Sequence, residues 1–199
     1  MTLVCFAVPQ EAKAFQKLVR GRADVRVLIT GMGARNAERA VREVLRELRP
    51  SRVFTCGFAG ALNPELSIGD VVCLREAPVA GAKPAVFHCA SRVAVTVAEK
   101  STLRSQTGAD VVEMESAIIA RVCREAGVEC VTLRAVSDTA HEDLPLDFNV
   151  LMTKDEKLSP FKLAFAVLKA PQKIPALICH GKNSALAAER LAEVLERGL

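Results

Sequence analysis

Four carboxylates stand where this chain could do acid–base chemistry. Val111-Val112-Glu113-Met114-Glu115-Ser116 sets two of them around a methionine, and Arg134-Ala135-Val136-Ser137-Asp138 ends an apolar run on a third. The fourth, Glu11, follows directly on the apolar run Thr2 to Val8 and its Pro9. A carboxyl group buried at an apolar strand end is held toward its protonated form and can donate a proton near neutral pH. The run Val131-Thr132-Leu133 ahead of Asp138 is consistent with such a place. Plainer readings exist. Asp138 could cap the next helix beside Ser137, and Glu11 could be a first-turn carboxylate favoured by the helix dipole. Read as one helix from Glu113 to about Ala126, the first block points Glu113 and Glu115 to nearly opposite faces, since each residue turns about 100°.

The elements that must position these groups alternate in kind. Thr2 to Val8 reads as a buried strand, followed by a helix from Gln10 through about Val19. Val25 to Thr30 is a second strand that opens into Gly31-Met32-Gly33-Ala34-Arg35-Asn36. A long helix follows, with Ala37, Ala40, Val41, Val44, Leu45 and Leu48 stepping by three and four. Strand, glycines and helix form the layout of an anion- or sugar-binding turn, with Gly31, Gly33 and Arg35 as its candidates. Asn36 stands where a dinucleotide fingerprint needs its last glycine, so that site is weakly supported. Arg52 to Cys56, Ile68 to Leu74, Arg92 to Val97, Ala109 to Val112 and Glu129 to Val136 read as further strands, with a loop from Arg75 to Ser91. Leu144 to Met152 reads as a covering segment. Ser159 to Leu168 and Gln172 to about Gly198 read as helices, interrupted at Pro171 and Pro175. Strands separated by helices point to one α/β domain over residues 1–199 with a largely parallel central sheet. Its polar residues gather at the strand ends, where open sheets bind ligands.

Composition narrows the classes. Half of the 199 residues are apolar and a quarter are charged, which describes a globular chain able to bury a core. The net charge of +4 is mild, and bases mix with acids along one helix in Arg39, Arg42, Glu43, Arg46, Glu47 and Arg49. With neither Tyr nor Trp to stack on bases, no nucleic-acid partner is expected. Cys5, Cys56, Cys73, Cys89, Cys123, Cys130 and Cys179 form no CxxC pair and read as small hydrophobes of a reducing cytoplasm. His88, His141 and His180 lack metal-ligand spacing, so no metal is expected. A signal peptide and a membrane-spanning run are both missing from the pattern, which makes the expected location cytoplasmic.

These residues carry a likeness. Four blocks occur in order: Glu11 after the first strand; Thr30-Gly31-Met32-Gly33 with Asn36; Cys56-Gly57-Phe58-Ala59-Gly60-Ala61-Leu62 with Ile68-Gly69-Asp70-Val71-Val72; and Val112-Glu113-Met114-Glu115 with Arg134-Ala135-Val136-Ser137-Asp138. In them the chain resembles the nucleoside phosphorylase/nucleosidase family, the α/β group that includes purine nucleoside phosphorylase and 5′-methylthioadenosine/S-adenosylhomocysteine nucleosidase. Within it, Glu113-Met114-Glu115-Ser116 and Pro171-Gln172-Lys173-Ile174-Pro175-Ala176-Leu177 resemble the hopanoid-associated phosphorylases, which are thought to remove adenine from adenosylhopane. The resemblance implies a single three-layer domain, with a mixed, largely parallel sheet flanked by helices. It implies cleavage of a purine N-glycosidic bond, releasing adenine from a 5′-substituted adenosine. Such a reaction passes through an oxocarbenium-like sugar and needs an acid for the departing base.

By the same resemblance Asp138 is the acid to the base, Glu115 bonds the ribose hydroxyls and Met114 packs on the sugar. Glu11 activates the nucleophile, Val95 and Thr96 form part of the base wall, and Glu113, Phe58 and Ser137 fall among the substrate-binding positions. A homo-oligomer, dimer or larger, is implied, with no cofactor and with phosphate as a candidate co-substrate. Two departures matter. Phosphorylases of the family hold phosphate with an Arg and a Ser in the third block, where this chain has Thr55 and Phe58 and no Arg from Phe54 to Leu62. That leaves Gly31, Gly33 and Arg35 as a weaker anion site and hydrolysis as an open alternative. The Arg75 to Ser91 segment is also shorter than the family's. An open sugar side would suit a large 5′ group; a degenerate site would make the chain a non-catalytic purine-binding relative.

Overall fold

Two strands at the centre of one sheet, each ten residues long, carry the architecture. In chain order the elements are β1 (Thr2–Phe6), α1 (Pro9–Leu18), β2 (Val25–Ile29), α2 (Ala34–Glu47), β3 (Arg52–Ala61), β4 (Val71–Leu74), β5 (Lys83–Ala85), β6 (Phe87–Cys89), α3 (Val97–Thr107), β7 (Val111–Glu113), α4 (Ser116–Glu125), β8 (Glu129–Asp138), α5 (Phe148–Leu151), α6 (Pro160–Lys169) and α7 (Ile174–Gly198). The computed structural model describes residues 1–153 and 159–199. The strand order is β2-β1-β3-β8-β4-β5, and β7, paired with β6, joins the far end of β3. β1 lies parallel to β2 and β3, and β3 parallel to β8, while β4 runs antiparallel to β8 and β7 antiparallel to β3. This is the mixed, largely parallel sheet that the sequence implies.

Both faces of the sheet are covered, which is why its central strands read as unbroken apolar runs. On one face α1 and α7 close a core of Val4, Phe6, Phe15, Phe54, Leu133, Leu191 and Leu195. On the other, α2 and α4 close Leu3, Cys5, Ala37, Val41, Val53, Ile119 and Val122.

Four expectations are revised. The helix expected from Glu113 starts at Ser116, because Glu113 is the last residue of β7 and pairs with Cys89 of β6. The loop expected from Arg75 to Ser91 contains β5 and β6. The strand expected at Arg92 to Val97 is an irregular entry to α3: Thr96 accepts from the Glu99 amide, and Glu99 accepts from the Val95 and Thr96 amides. That reciprocal cap is written in the sequence as Thr96-x-x-Glu99. β3 continues through its glycines to Ala61, and β8 to Asp138, so the strands themselves deliver the site.

Leu191 is fully buried between α7 and the sheet. Leu191→Ala is expected to lower unfolding stability by about 2–5 kcal/mol in denaturant titration. A loss under about 1 kcal/mol would show that α7 is not an integral layer.

Candidate active site

The ends of β3 and β8, the first turn of α1 and the β7–α4 connection meet at a cavity of about 230 Å³. Glu11, Phe58, Glu113, Met114, Glu115, Ser137 and Asp138 all line it. Each arrives through a local feature of the chain.

Glu11 turns back over the start of its own helix. Its Oε2 accepts from the amides of Ala7 (2.9 Å) and Val8 (3.1 Å), and its Oε1 from the amide of Phe58 (2.8 Å). Burial pushes its pKa up, partly countered by the Phe58 N–H and the Arg134 charge. The close approach requires Gly57: at φ 153° it has a conformation few side chains adopt, and a Cβ there would lie 2.7 Å from Glu11 Oε1.

Asp138 is aimed by a bulge. Ala59 pairs with Val136 but Gly60 pairs with Asp138, so Ser137 is an extra residue in β8. Successive residues of a regular strand face opposite sides. The bulge breaks that alternation and turns both Ser137 and Asp138 to the cavity. Ser137 Oγ donates to Asp138 Oδ1 (2.7 Å), and Lys100 Nζ lies 2.6 Å from Oδ2. Lys100 is fully buried and also donates to the carbonyls of Thr139 (2.6 Å) and Glu142 (3.0 Å). The surroundings of Asp138 are therefore ionic, not the apolar strand end that Val131-Thr132-Leu133 suggests.

Glu113 and Glu115 divide the work that one helix could not. Glu113 Oε2 accepts from Arg134 Nη2 (2.7 Å) and from the amides of Glu115 (3.0 Å) and Ser116 (2.8 Å), while Ser116 Oγ donates to Oε1 (2.7 Å). Burial opposes its charge, yet the guanidinium and these donors outweigh burial and hold Glu113 below the usual carboxylate range. Glu115 Oε1 accepts from the amide of Gly33 (2.7 Å). Burial pushes Glu115 from the ordinary 4.5 up to about 7, against the pull of Arg134 and the Gly33 N–H. Arg134 is itself buried, with Nη2 also donating to Thr55 Oγ1 (3.2 Å) and Nη1 to the Leu133 carbonyl (3.0 Å). Burial works against its charge, and Glu113, Glu115 and Glu11 together overcome it and raise its pKa.

Five expected positions fall outside the cavity lining. The Gly33 amide already holds the Glu115 carboxylate, and the Gly31 amide donates to the Ala7 carbonyl (3.1 Å). Arg35 lies exposed on the first turn of α2, away from the cavity lining. Of the anion site expected at Gly31, Gly33 and Arg35, the two glycine amides are thus already engaged within the protein. The Val95 and Thr96 amides are committed to Glu99, and Arg92, Val93 and Ala94 line the cavity instead. Met32, Leu144, Phe148 and His180 line it too, the last two with ring centroids 5.8 Å apart. Leu144 and Phe148 belong to the segment read as a cover, whereas Met32, His180 and Lys100 were not expected at the site. Among the described residues no group of His, Cys, Asp or Glu is arranged to hold a metal ion.

Carboxylates gathered at the carboxyl ends of a largely parallel sheet, facing an apolar-walled cavity, define an α/β protein built to bind a small polar ligand. The chain matches the phosphorylase superfamily over residues 5–89 and 82–169, and it belongs to that family. It is similar to the 5′-methylthioadenosine/S-adenosylhomocysteine nucleosidase of Shewanella halifaxensis, 27% identical over 173 residues that take in 66% of this chain and 75% of that protein. It is also similar to the aminodeoxyfutalosine nucleosidase of Helicobacter pylori, 33% identical over 99 residues, 50% of this chain and 39% of that one. The solved Helicobacter pylori 5′-methylthioadenosine/S-adenosylhomocysteine nucleosidase with butyl-thio-DADMe-Immucillin-A shares the fold at a TM-score of 0.68 and 17% identity, covering 98% of this chain and 97% of that one. Family and relatives make this chain an enzyme of the nucleosidase/phosphorylase type.

The Glu115 shift has a sign that can be read in stability. A carboxyl group raised in the folded state favours folding when protonated, so its contribution is complete below about pH 4.5 and is lost as pH rises through about 7. The melting temperature of the wild type relative to Glu115→Gln should fall across that window. A difference that stays constant with pH would contradict the buried setting of Glu115.

Proposed function

We propose that this enzyme hydrolyses the N-glycosidic bond of a 5′-substituted adenosine and releases adenine. The observation that carries the reading is that Glu11, Glu115 and Asp138 line one cavity in three different electrostatic settings. Asp138, between the Ser137 hydroxyl and the Lys100 ammonium, relays the ammonium's proton to the purine as the C1′–N9 electrons move into the ring. Lys100, at 2.6 Å, is the source of that proton and fixes the carboxyl group. Glu115 accepts from the ribose hydroxyls with the oxygen that Gly33 does not hold, and Met114 packs on the sugar. Glu11, pushed up by burial, takes the proton of the water whose oxygen bonds to C1′. Atoms balance: water is consumed, the base leaves protonated, and the two protons exchanged with Glu11 and Lys100 return through solvent.

Hydrolysis is favoured over phosphorolysis by the committed Gly31 and Gly33 amides and by Phe58 in the third block. The relatives named above are nucleosidases. Leu144, Phe148 and Met32 on the cavity wall suit an apolar 5′ group, methylthioadenosine-like or adenosylhopane-like.

Chromatography of adenine released from methylthioadenosine, S-adenosylhomocysteine and adenosine tests the reading. Release is expected without phosphate, and Asp138→Asn should keep the fold and lose at least about a hundredfold in turnover. Strict phosphate dependence would overturn hydrolysis, and a fully active Asn variant would overturn the acid. Lys100→Met should lower kcat with little change in KM and alter the pH profile, with Lys100→Arg restoring part of the loss. Identical pH profiles for Met variant and wild type would reduce Lys100 to a structural role.

A further inference from the structure

α6 and the first half of α7 carry an apolar face that the body of the protein leaves uncovered. No residue of α6 is buried. Phe161 is 88% exposed, Phe165 58% and Leu168 78%, at a spacing of four and three that places them on one side of the helix. Ile174 and Ile178 of α7 are exposed as well. Single exposed apolar residues are ordinary, but several large ones on one side of a helix mark an interaction surface.

Charge identifies the partner. From Ser159 to Ala188 the chain has Lys162, Lys169, Lys173 and Lys182 and no Asp or Glu. Lys162 Nζ donates to the carbonyls of Val150 (3.1 Å) and Met152 (2.7 Å), which ties α6 to the end of α5. Lys169 Nζ sits 4.4 Å from the centroid of the Phe165 ring, so a cation borders the apolar face. Aromatic and aliphatic side chains bordered by lysines, with acids excluded, suit a helix lying in the interface of an anionic bilayer. A second copy docked face to face would bring like lysines together. No described helix is long and apolar enough to cross a membrane, so the contact would be superficial.

We propose that α6 and the first half of α7 form a docking surface for an anionic lipid bilayer. α7 also borders the cavity, contributing His180 to its wall against Phe148 of α5. Docking would therefore hold the site beside the membrane, within reach of nucleosides with a lipid-like 5′ group. The docking itself stands apart from the reaction proposed above and is measured without turnover.

The test is co-sedimentation of the full chain with vesicles of phosphatidylcholine alone or mixed with phosphatidylglycerol. Binding is expected to be at least about tenfold tighter to the mixed vesicles and to weaken as salt is added. The variant Phe161→Ser/Phe165→Ser/Leu168→Ser should remain folded by circular dichroism and lose binding to both. Lys169→Glu/Lys173→Glu should lose the preference for phosphatidylglycerol. No binding to mixed vesicles, or binding unchanged in the triple serine variant, overturns the proposal. So does a lipid-free dimer that the triple serine variant converts to monomer, because the face would then belong to a subunit contact.

Discussion

The buried guanidinium of Arg134 is the constraint from which the site is built. A cation taken out of water costs several kcal/mol unless close partners replace the solvent. Here Glu113 supplies the direct pair at 2.7 Å, and Glu115 and Glu11 add their charges. Because Arg134 belongs to β8, the pair fixes Glu113 against the centre of the sheet. The same Glu113 oxygen then accepts the amides of Glu115 and Ser116, which sets the path of the β7–α4 connection. Glu115 is placed as a consequence, and its carboxyl group reaches across to the start of α2. Arg134 therefore acts through a chain of backbone bonds, and a change at Glu113 would leave a buried cation unpaired as well as a misplaced Glu115.

β3 performs the complementary task by leaving space. Gly57 and Gly60 carry no side chains where Glu11 and Asp138 approach, with a Cβ at Gly60 coming within 3.0 Å of Asp138 Oδ2. The strand thus passes between two carboxyl groups that would otherwise collide with it. Its backbone also helps to hold one of them, through the amide of Phe58. The glycines of the third sequence block are explained by these approaches rather than by a phosphate cradle, and the glycines of the second by the turn that receives Glu115.

Much of this was legible in the sequence, for physical reasons that also mark where legibility ends. β1 and the centre of β8 are apolar runs because both faces of the sheet are covered there, and α2 shows its buried face at three- and four-residue steps. Glu11, Glu115 and Asp138 could be placed at strand ends and do share a cavity. The bulge at Ser137 could not be read, since an inserted residue changes which face a side chain meets without changing composition. The start of α4 was misplaced because the pairing of Glu113 with Arg134 and β6 overrides its helical propensity. Lys100 was missed because α3 has only one buried residue, Lys100 itself, and so lacks an apolar period. Val93 and Ala94 took the place expected for Val95 and Thr96 once the helix cap had claimed those amides.

The charges around the cavity close the argument about its chemistry. Four carboxyl groups, Glu11, Glu113, Glu115 and Asp138, are buried with two cations, Arg134 and Lys100. The two with direct cationic partners are Glu113 and Asp138, at 2.7 and 2.6 Å. Glu11 and Glu115 have no such direct cationic partner, and burial pushes both up. A phosphate dianion would enter a site whose cations are already engaged and whose nearest amides are donated elsewhere, and Coulomb repulsion at low effective dielectric would oppose it. Water brings no such charge. The pairing that lets the fold tolerate these buried acids thereby works against a second anion in the cavity.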